Sequence, residues 1–332
     1  MESIAFFNNK GGVGKTTLLC NVAAFLALER NKKVLVIDAD PQCNATQLML
    51  DELEVIDLYD DSSSFTIHSV IHPLSIGRGY SNTLSPVRIA NYGLDLIPGD
   101  PRLALKEDLL SKDWQDATSG DIRGLRTSYL FAQLLSRCEN YDYVLFDMGP
   151  SLGSINRAVL LACDYFVSPM SIDIFSLKAI ENISTAILEW KRRLKLGVSQ
   201  VPSDQLDDLP NSDGFDIKFA GYVAQQYVQK TRSGEKRVVA AYESILKKIP
   251  KTIKANFVDK FKTDDTAIKY EIGRIPNLYS LIPMSQSARK PVFQLKAKDG
   301  VRGAHFNKVK DAEDIFRNVT DQLVRNVDEL SL

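Results

Sequence analysis

The chain has 332 residues, 44% of them apolar and 25% charged, with a formal net charge of −1. That length buries a sizeable core, and the balanced charge excludes a whole-molecule field for polyanions, so any nucleic-acid surface has to be a local patch. Four scattered cysteines, Cys20, Cys43, Cys138 and Cys163, form no C-x-x-C or Cys/His pattern, which argues against a disulfide framework or zinc site and for a reducing cytoplasm.

Short apolar runs alternate with longer amphipathic stretches, the pattern of an α/β fold with a doubly wound, mostly parallel sheet and helices on both faces. Ile4–Phe7 is predicted as the first strand, starting too early to leave room for a signal peptide. A helix is predicted over Thr17–Glu29. Val34–Ile37 is apolar without alternation, as in a strand buried on both faces. Asp51–Ser64 is acidic and serine-rich and reads as irregular. Next come a strand at Leu94–Ile97, a helix at Ser128–Arg137 and a strand at Tyr143–Phe146. A helix at Ile155–Cys163, a strand at Tyr165–Val167 and a helix at Ser176–Lys195 follow. Val198–Asp216 is polar with prolines and reads as a loop. Strand Phe219–Val223, helix Val238–Lys248 and strand Tyr279–Ile282 lead to a basic, glycine-containing loop at Lys296–Lys310. Ala312–Val327 sets Ile315, Phe316, Val319, Leu323 and Val327 at helical spacing, as a docked closing helix does. The expected organisation is one domain over 1–332 with insertions near 51–90, 198–216 and 247–274. No apolar run is long enough to span a bilayer.

The chemistry concentrates at residues 10–17, KGGVGKTT. A strand, a glycine loop and a helix in succession form the context of a phosphate cradle. Backbone N–H groups of Gly12–Thr16 would wrap a β-phosphate at the helix N-terminus. Lys15 would neutralise β and γ oxygens, and the Thr16 hydroxyl would join Mg²⁺. Gly11, Gly12, Val13, Gly14, Lys15, Thr16 and Thr17 are therefore the candidate nucleotide-binding set. The ordinary pattern G-x-x-x-x-G-K-[ST] would place glycine where this chain has Asn9, and it carries one lysine; here Lys10 is a second. Two strands end in carboxylates, VLVID at Asp38 and YDYVLFD at Asp147. Ligands of open α/β sheets bind at the carboxyl ends of strands, so both should converge on the metal side of the cradle. Asp147 is the candidate Mg²⁺ contact, direct or through water, and Asp38 the candidate to orient a metal-bound water and Thr16. Asp40, just past the strand, is placed to position a hydrolytic water. For any single one of the three, a turn or cap role is the plain alternative.

Together these motifs resemble the deviant Walker A ATPases, and the sequence looks like a ParA/Soj-type partition ATPase, in the same class as MinD. The resemblance covers most of the chain. DADPQCNAT is similar to the family's D-x-D-P-Q-G-N-A-T, with Cys43 where glycine is usual. YGLDLIPGDPRLALKEDLL resembles the segment after the third strand. DMGPSLG resembles D-x-P-P-S-L-G, with Gly149 replacing a proline. LIPMSQSARKPVF, which contains Pro283, resembles the late loop that helps enclose the nucleotide base, and Gln225 in GYVAQQYVQKTR falls near the adenine-reading position. The resemblance implies that Lys10 is the signature lysine crossing to the γ-phosphate of a second copy, so that ATP holds a face-to-face homodimer. The plain alternative is a solvated loop lysine. Lys10, Lys15 and Asp40 form the implied catalytic set, with ATP and Mg²⁺ as cofactors and slow hydrolysis stimulated by a ParB-like activator.

Members without an N-terminal helix-turn-helix domain commonly bind DNA non-specifically as ATP dimers, and no room for such a domain is expected before Lys10. The resemblance thus implies plasmid or chromosome partition by a cytoplasmic protein that joins the nucleoid when ATP-bound. Residues 230–274 hold twelve Lys or Arg against six Asp or Glu, and WKRRLK supplies Lys191, Arg192, Arg193 and Lys195. Lys230, Arg232, Lys236, Arg237, Lys247, Lys248, Lys251 and Lys254 are the candidate phosphate contacts, with a solvated helix face as the plain alternative. A MinD-like membrane role suits the acidic tail DQLVRNVDELSL poorly, and no membrane partner is expected. Cys138 and Cys163 do not match the pattern of an iron–sulfur protein of the nitrogenase type. An adaptor ATPase that positions another cargo, or serves conjugation or phage defence, keeps the same switch and remains open.

Overall fold

A computed structural model of the protein describes residues 1–206, 209, 215–227, 236–261 and 268–331, with backbone only for 226–227 and 236–243. Strands form where the apolar runs lie, and in the central strands alternate residues feed opposite cores. Ile4, Phe6, Val34, Val36 and Leu145 join one buried cluster. Ala5, Phe7, Leu35, Ile37, Val144 and Phe146 join the other. A sheet covered on both faces requires this, because neither side of its strands meets water. The strands are β1 (Glu2–Phe6), β2 (Val34–Asp38), β3 (Val87–Ile89), β4 (Leu94–Ile97), β5 (Tyr143–Asp147), β6 (Tyr165–Ser171), β7 (Lys218–Tyr227) and β8 (Glu271–Pro276). Their order in one sheet is β3-β4-β2-β5-β1-β6-β7-β8. All neighbours are parallel except β3 and β4. The doubly wound, mostly parallel α/β sheet predicted from the sequence is the observed one.

The helices Lys15–Arg30 and His305–Ser331 cover one face, contributing Leu18, Leu19, Val22, Phe316, Val319 and Leu323 to its core. The helices Glu107–Thr118, Ser154–Ala162 and Ile174–Val198 cover the other, with Trp114, Val159 and Ile187 buried there. The register sets Asp38 of β2 beside Asp147 of β5, so both acidic strand ends arrive at the same edge of the sheet as the glycine loop after β1.

Several predicted elements differ. Tyr279–Ile282 is not a strand; a helix spans Leu281–Ala288, with Pro283 in its first turn, where the missing N–H costs no hydrogen bond. The strand of this region is β8, whose sequence EIGRIP mixes apolar and charged residues because it lies at the sheet edge, with Glu271 and Arg274 paired. The stretch 51–64, expected to be irregular, contains the helix Glu52–Asp60. Asp51 accepts from the N–H groups of Leu53 and Glu54 at 2.9 Å each, and Glu54 accepts from Asp51 N–H at 2.8 Å, a closed capping box. The predicted helix 128–137 is two helices, Ile122–Ser128 and Leu130–Leu135. The closing helix begins at His305, inside the stretch expected to be a basic loop. The predicted helix at 238–248 runs over Lys236–Ile253 and leads into a π-turn at Lys254–Val258. That turn drives Phe257 onto Phe219, with ring centroids 4.4 Å apart. Among the described residues no helix is long and apolar enough to cross a membrane.

Candidate functional site

The loop after β1 is shaped by two glycines in the left-handed region, Gly12 (φ 71°) and Gly14 (φ 75°), a conformation that any Cβ would strain. Asn8 anchors its entrance. The Asn8 side chain donates to the Pro169 carbonyl at 2.8 Å and accepts from Lys10 N–H at 3.0 Å. Lys15 opens the following helix and is only 8% exposed. Its ammonium donates back to the Lys10 carbonyl at 3.3 Å. Burial lowers the Lys15 pKa, while Asp147 and Asp40 act against that shift.

Thr16 donates its hydroxyl to Asp147 Oδ2 at 2.7 Å. The other oxygen, Oδ1, is buried and has no hydrogen-bond partner among the described residues. Burial, and then the charge of Asp38, push the Asp147 carboxyl well above the ordinary range. Asp38 is fully buried too, and burial raises it to about 6. Its Oδ2 accepts from both the N–H (2.8 Å) and the hydroxyl (2.7 Å) of Thr46. The predicted link between Asp38 and Thr16 is therefore not observed: Asp38 braces the segment after β2, and Thr16 is held by Asp147. Two adjacent buried carboxylates with an open oxygen beside a threonine hydroxyl suit a divalent cation, which would neutralise the pair.

The glycine loop floors a cavity of about 660 Å³ lined by residues 11–17 together with Asp40, Gln42, Asn44, Gln47, Leu48, Pro150, Gln286 and Arg289. This is the size of an ordinary small-ligand site. Asp40 is 5% exposed, accepts from Gln42 N–H at 3.0 Å, and lies against Gly149. Gln225 donates to the Gly14 carbonyl at 3.2 Å and lines a second, narrow cavity of about 110 Å³. Thr17, Leu18, Ile275, Pro276, Asn277, Leu278 and Ile282 line it as well. Pro283 is exposed and lines neither cavity, because its helix turns Ile282 and Gln286 toward the site instead.

Lys10 stands outside the loop's curl. Its ammonium is paired with Asp173, and both side chains keep about a third of their surface in solvent, 33% and 31%. The predicted DNA contacts are less gathered. Lys230 and Arg232 lie outside the described residues, as do the side chains of Lys236 and Arg237. Lys247, Lys248, Lys251 and Lys254 are exposed; 247, 251 and 254 recur at helical spacing, and none pairs with an acid among the described residues. In WKRRLK, Lys191 binds Asp216, Arg192 binds Glu189 and Arg193 reaches Gln115. All four cysteines are free and buried, and burial lifts Cys43 to about 12.

Sequence reasoning did not assign Asn8, Gln42, Asn44, Asp173, Gln286 or Arg289. Gln42 and Asn44 sit inside DPQCNAT, two and four residues past Asp40, where a turn would carry them back over the loop. Asp173 has no local signal at all.

A family described as an AAA domain matches residues 1–199, more than half of the chain. A ParA family protein of Chlamydia trachomatis serovar D is 31% identical over 202 residues, 60% of this chain and 69% of that protein. The chain belongs to the ParA family of P-loop ATPases. Aligned stretches span 62% and 53% of two other curated ParA relatives, about half to two thirds of their length. Among solved structures, protein DIP2308 of Corynebacterium diphtheriae is 32% identical, with a TM-score of 0.65 over 87% of this ParA-family chain and 97% of its own. A putative plasmid partition protein of Borrelia burgdorferi B31, solved with AMPPNP, shares the fold at 20% identity, a TM-score of 0.58 and 98% of each chain.

Proposed function

We propose that the protein is an ATP-binding and ATP-hydrolysing switch that closes into a homodimer around two nucleotides. The observation that carries this is the placement of its two loop lysines. Lys15 is buried within the curl that would wrap the phosphates, whereas Lys10 lies outside it and keeps about a third of its side-chain surface in solvent. A cation so placed is better able to reach a phosphate presented by a facing copy than one wrapped by its own loop. The γ-phosphate then draws cations from two polypeptides, and nucleotide state sets assembly state. Membership in the ParA family supports the same reading.

ATP is the nucleotide; Thr16 and the free oxygen of Asp147 would hold Mg²⁺, which would supply charge neutralisation along the phosphates. The backbone of 11–17 binds the phosphates, and Lys15 balances their charge. Asp40, poised at the cavity wall, orients the water that attacks the γ-phosphorus and takes its proton. Gln225 and the narrow cavity beside it receive the base. The proposed setting is plasmid or chromosome partition, with a ParB-like protein stimulating hydrolysis and the dimer binding DNA non-specifically through Lys247, Lys248, Lys251 and Lys254. Doubling that patch on dimerisation would make binding ATP-dependent and steeply salt-sensitive.

Light scattering on Asp40→Ala with Mg·ATP tests the switch. Slowed water attack should trap a stable dimer; a monomer under saturating ATP contradicts the role given to this carboxylate.

A further inference from the structure

Arg289 is strained, clamped and turned toward the nucleotide cavity. It caps the helix Leu281–Ala288 at φ 50° and ψ 49°, a left-handed conformation that a long side chain rarely adopts. Neighbouring bonds hold it there. Asn91 Nδ2 donates to its carbonyl at 3.1 Å. The next residue is fixed twice, by Ser285 donating to the Lys290 carbonyl at 2.5 Å and by Lys290 pairing with Asp299 at 2.6 Å. Ile282, Gln286 and Arg289 follow one another at spacings of four and three, so the same side of the helix runs from the narrow cavity to the large one. Arg289 lines the large cavity together with the glycine loop, and its guanidinium donates to the Gln47 carbonyl at 2.5 Å, a neutral acceptor. Among the described residues it has no carboxylate partner. Strain of this kind persists where surrounding structure enforces it, and it gathers at functional sites.

We propose that Arg289 is a nucleotide-contacting residue of this chain: its guanidinium exchanges the Gln47 carbonyl for the phosphates of the subunit's own nucleotide. Lys15 grips the phosphates from within the loop, and Arg289 closes on them from the cavity lining outside it. Phosphate is the better acceptor, being charged and able to take two N–H groups at once. The exchange also frees the carbonyl of Gln47 in the helix Asn44–Met49, which begins four residues after Asp40. Nucleotide binding is thereby felt by the segment that carries the proposed water-positioning carboxylate. This inference rests on the nucleotide-binding reading above.

Arg289→Gly separates a ligand contact from a structural brace, because glycine relieves the left-handed strain while removing the cation. Titration calorimetry with Mg·ATP at low and moderate salt, beside thermal unfolding without nucleotide, gives the readouts. The variant should bind ATP roughly ten- to a hundredfold more weakly, with a flatter salt dependence, and its nucleotide-free midpoint should not fall. Arg289→Lys should recover part of the affinity. Unchanged ATP affinity and salt slope in Arg289→Gly overturns the inference, and so does a lowered midpoint with an unchanged salt slope, which marks a brace. If wild-type protein binds no ATP, the nucleotide-binding reading itself fails, a result distinct from either.

Discussion

Replacing Asp173 by asparagine separates the two bonds that this carboxylate makes. Oδ1 accepts from Ser176 N–H at 3.0 Å and caps the helix Ile174–Val198, while Oδ2 holds the Lys10 ammonium. Asparagine keeps a capping oxygen but loses the charge. With both partners about a third exposed, the ion pair is worth roughly 0.5–1 kcal/mol. If Lys10 must leave Asp173 to reach a facing phosphate, each protomer breaks one pair and each dimer breaks two. Removing that cost should stabilise the ATP dimer by about 1–2 kcal/mol, roughly a 5- to 30-fold smaller dissociation constant. Sedimentation velocity over a concentration series with ATP measures it, and urea unfolding should show a monomer within about 1 kcal/mol of wild type. A dimer constant that is unchanged or weaker, at unchanged nucleotide affinity, would mean that Lys10 does not leave Asp173 on dimerisation.

Other outcomes follow from the same geometry. Lys15→Ala should weaken Mg·ATP binding by about a hundredfold or more in calorimetry, since a buried cation loses its charge-assisted bonds; retained affinity would move the phosphates elsewhere. Asp38 binds its proton more tightly folded, near 6, than unfolded, near 3.8. The native state thus holds the extra proton between about pH 4 and 6, and nucleotide-free stability should fall as pH rises through that window. Urea midpoints across the window, flattened by Asp38→Asn, check the sign. Gly197→Ala would set a Cβ 2.0 Å from the Ala117 carbonyl oxygen. Backbone cannot yield as a side chain can, so the variant should lose about 2–3 kcal/mol of stability by urea unfolding.

Local signals were the legible ones. KGGVGKTT specifies its loop by residue type alone, because glycines at 12 and 14 and a lysine at 15 are what a left-handed curl at a helix start demands. The buried strands β2 and β5 stand out as unbroken apolar runs closed by aspartate. The helix at Glu52–Asp60 was missed, although Asp51 and Glu54 stand at a capping spacing, because the acidic, serine-rich composition around them obscured it. β8 was not legible, since an edge strand can keep charged residues in contact with solvent. Neither was the pairing of Lys10 with Asp173, 163 residues apart, nor that of Asp38 with Thr46, whose hydroxyl also accepts from Gly99 N–H. Such contacts are decided by which strands become neighbours, and no short window of sequence contains that information.

The reach of Lys10 is tested most directly by sedimentation velocity of Lys10→Ala beside wild type, each saturated with ATP and each with its nucleotide affinity measured separately. Wild type is expected to sediment as a dimer and the variant, still binding ATP, as a monomer. A variant that binds ATP and dimerises as wild type does would contradict that reach.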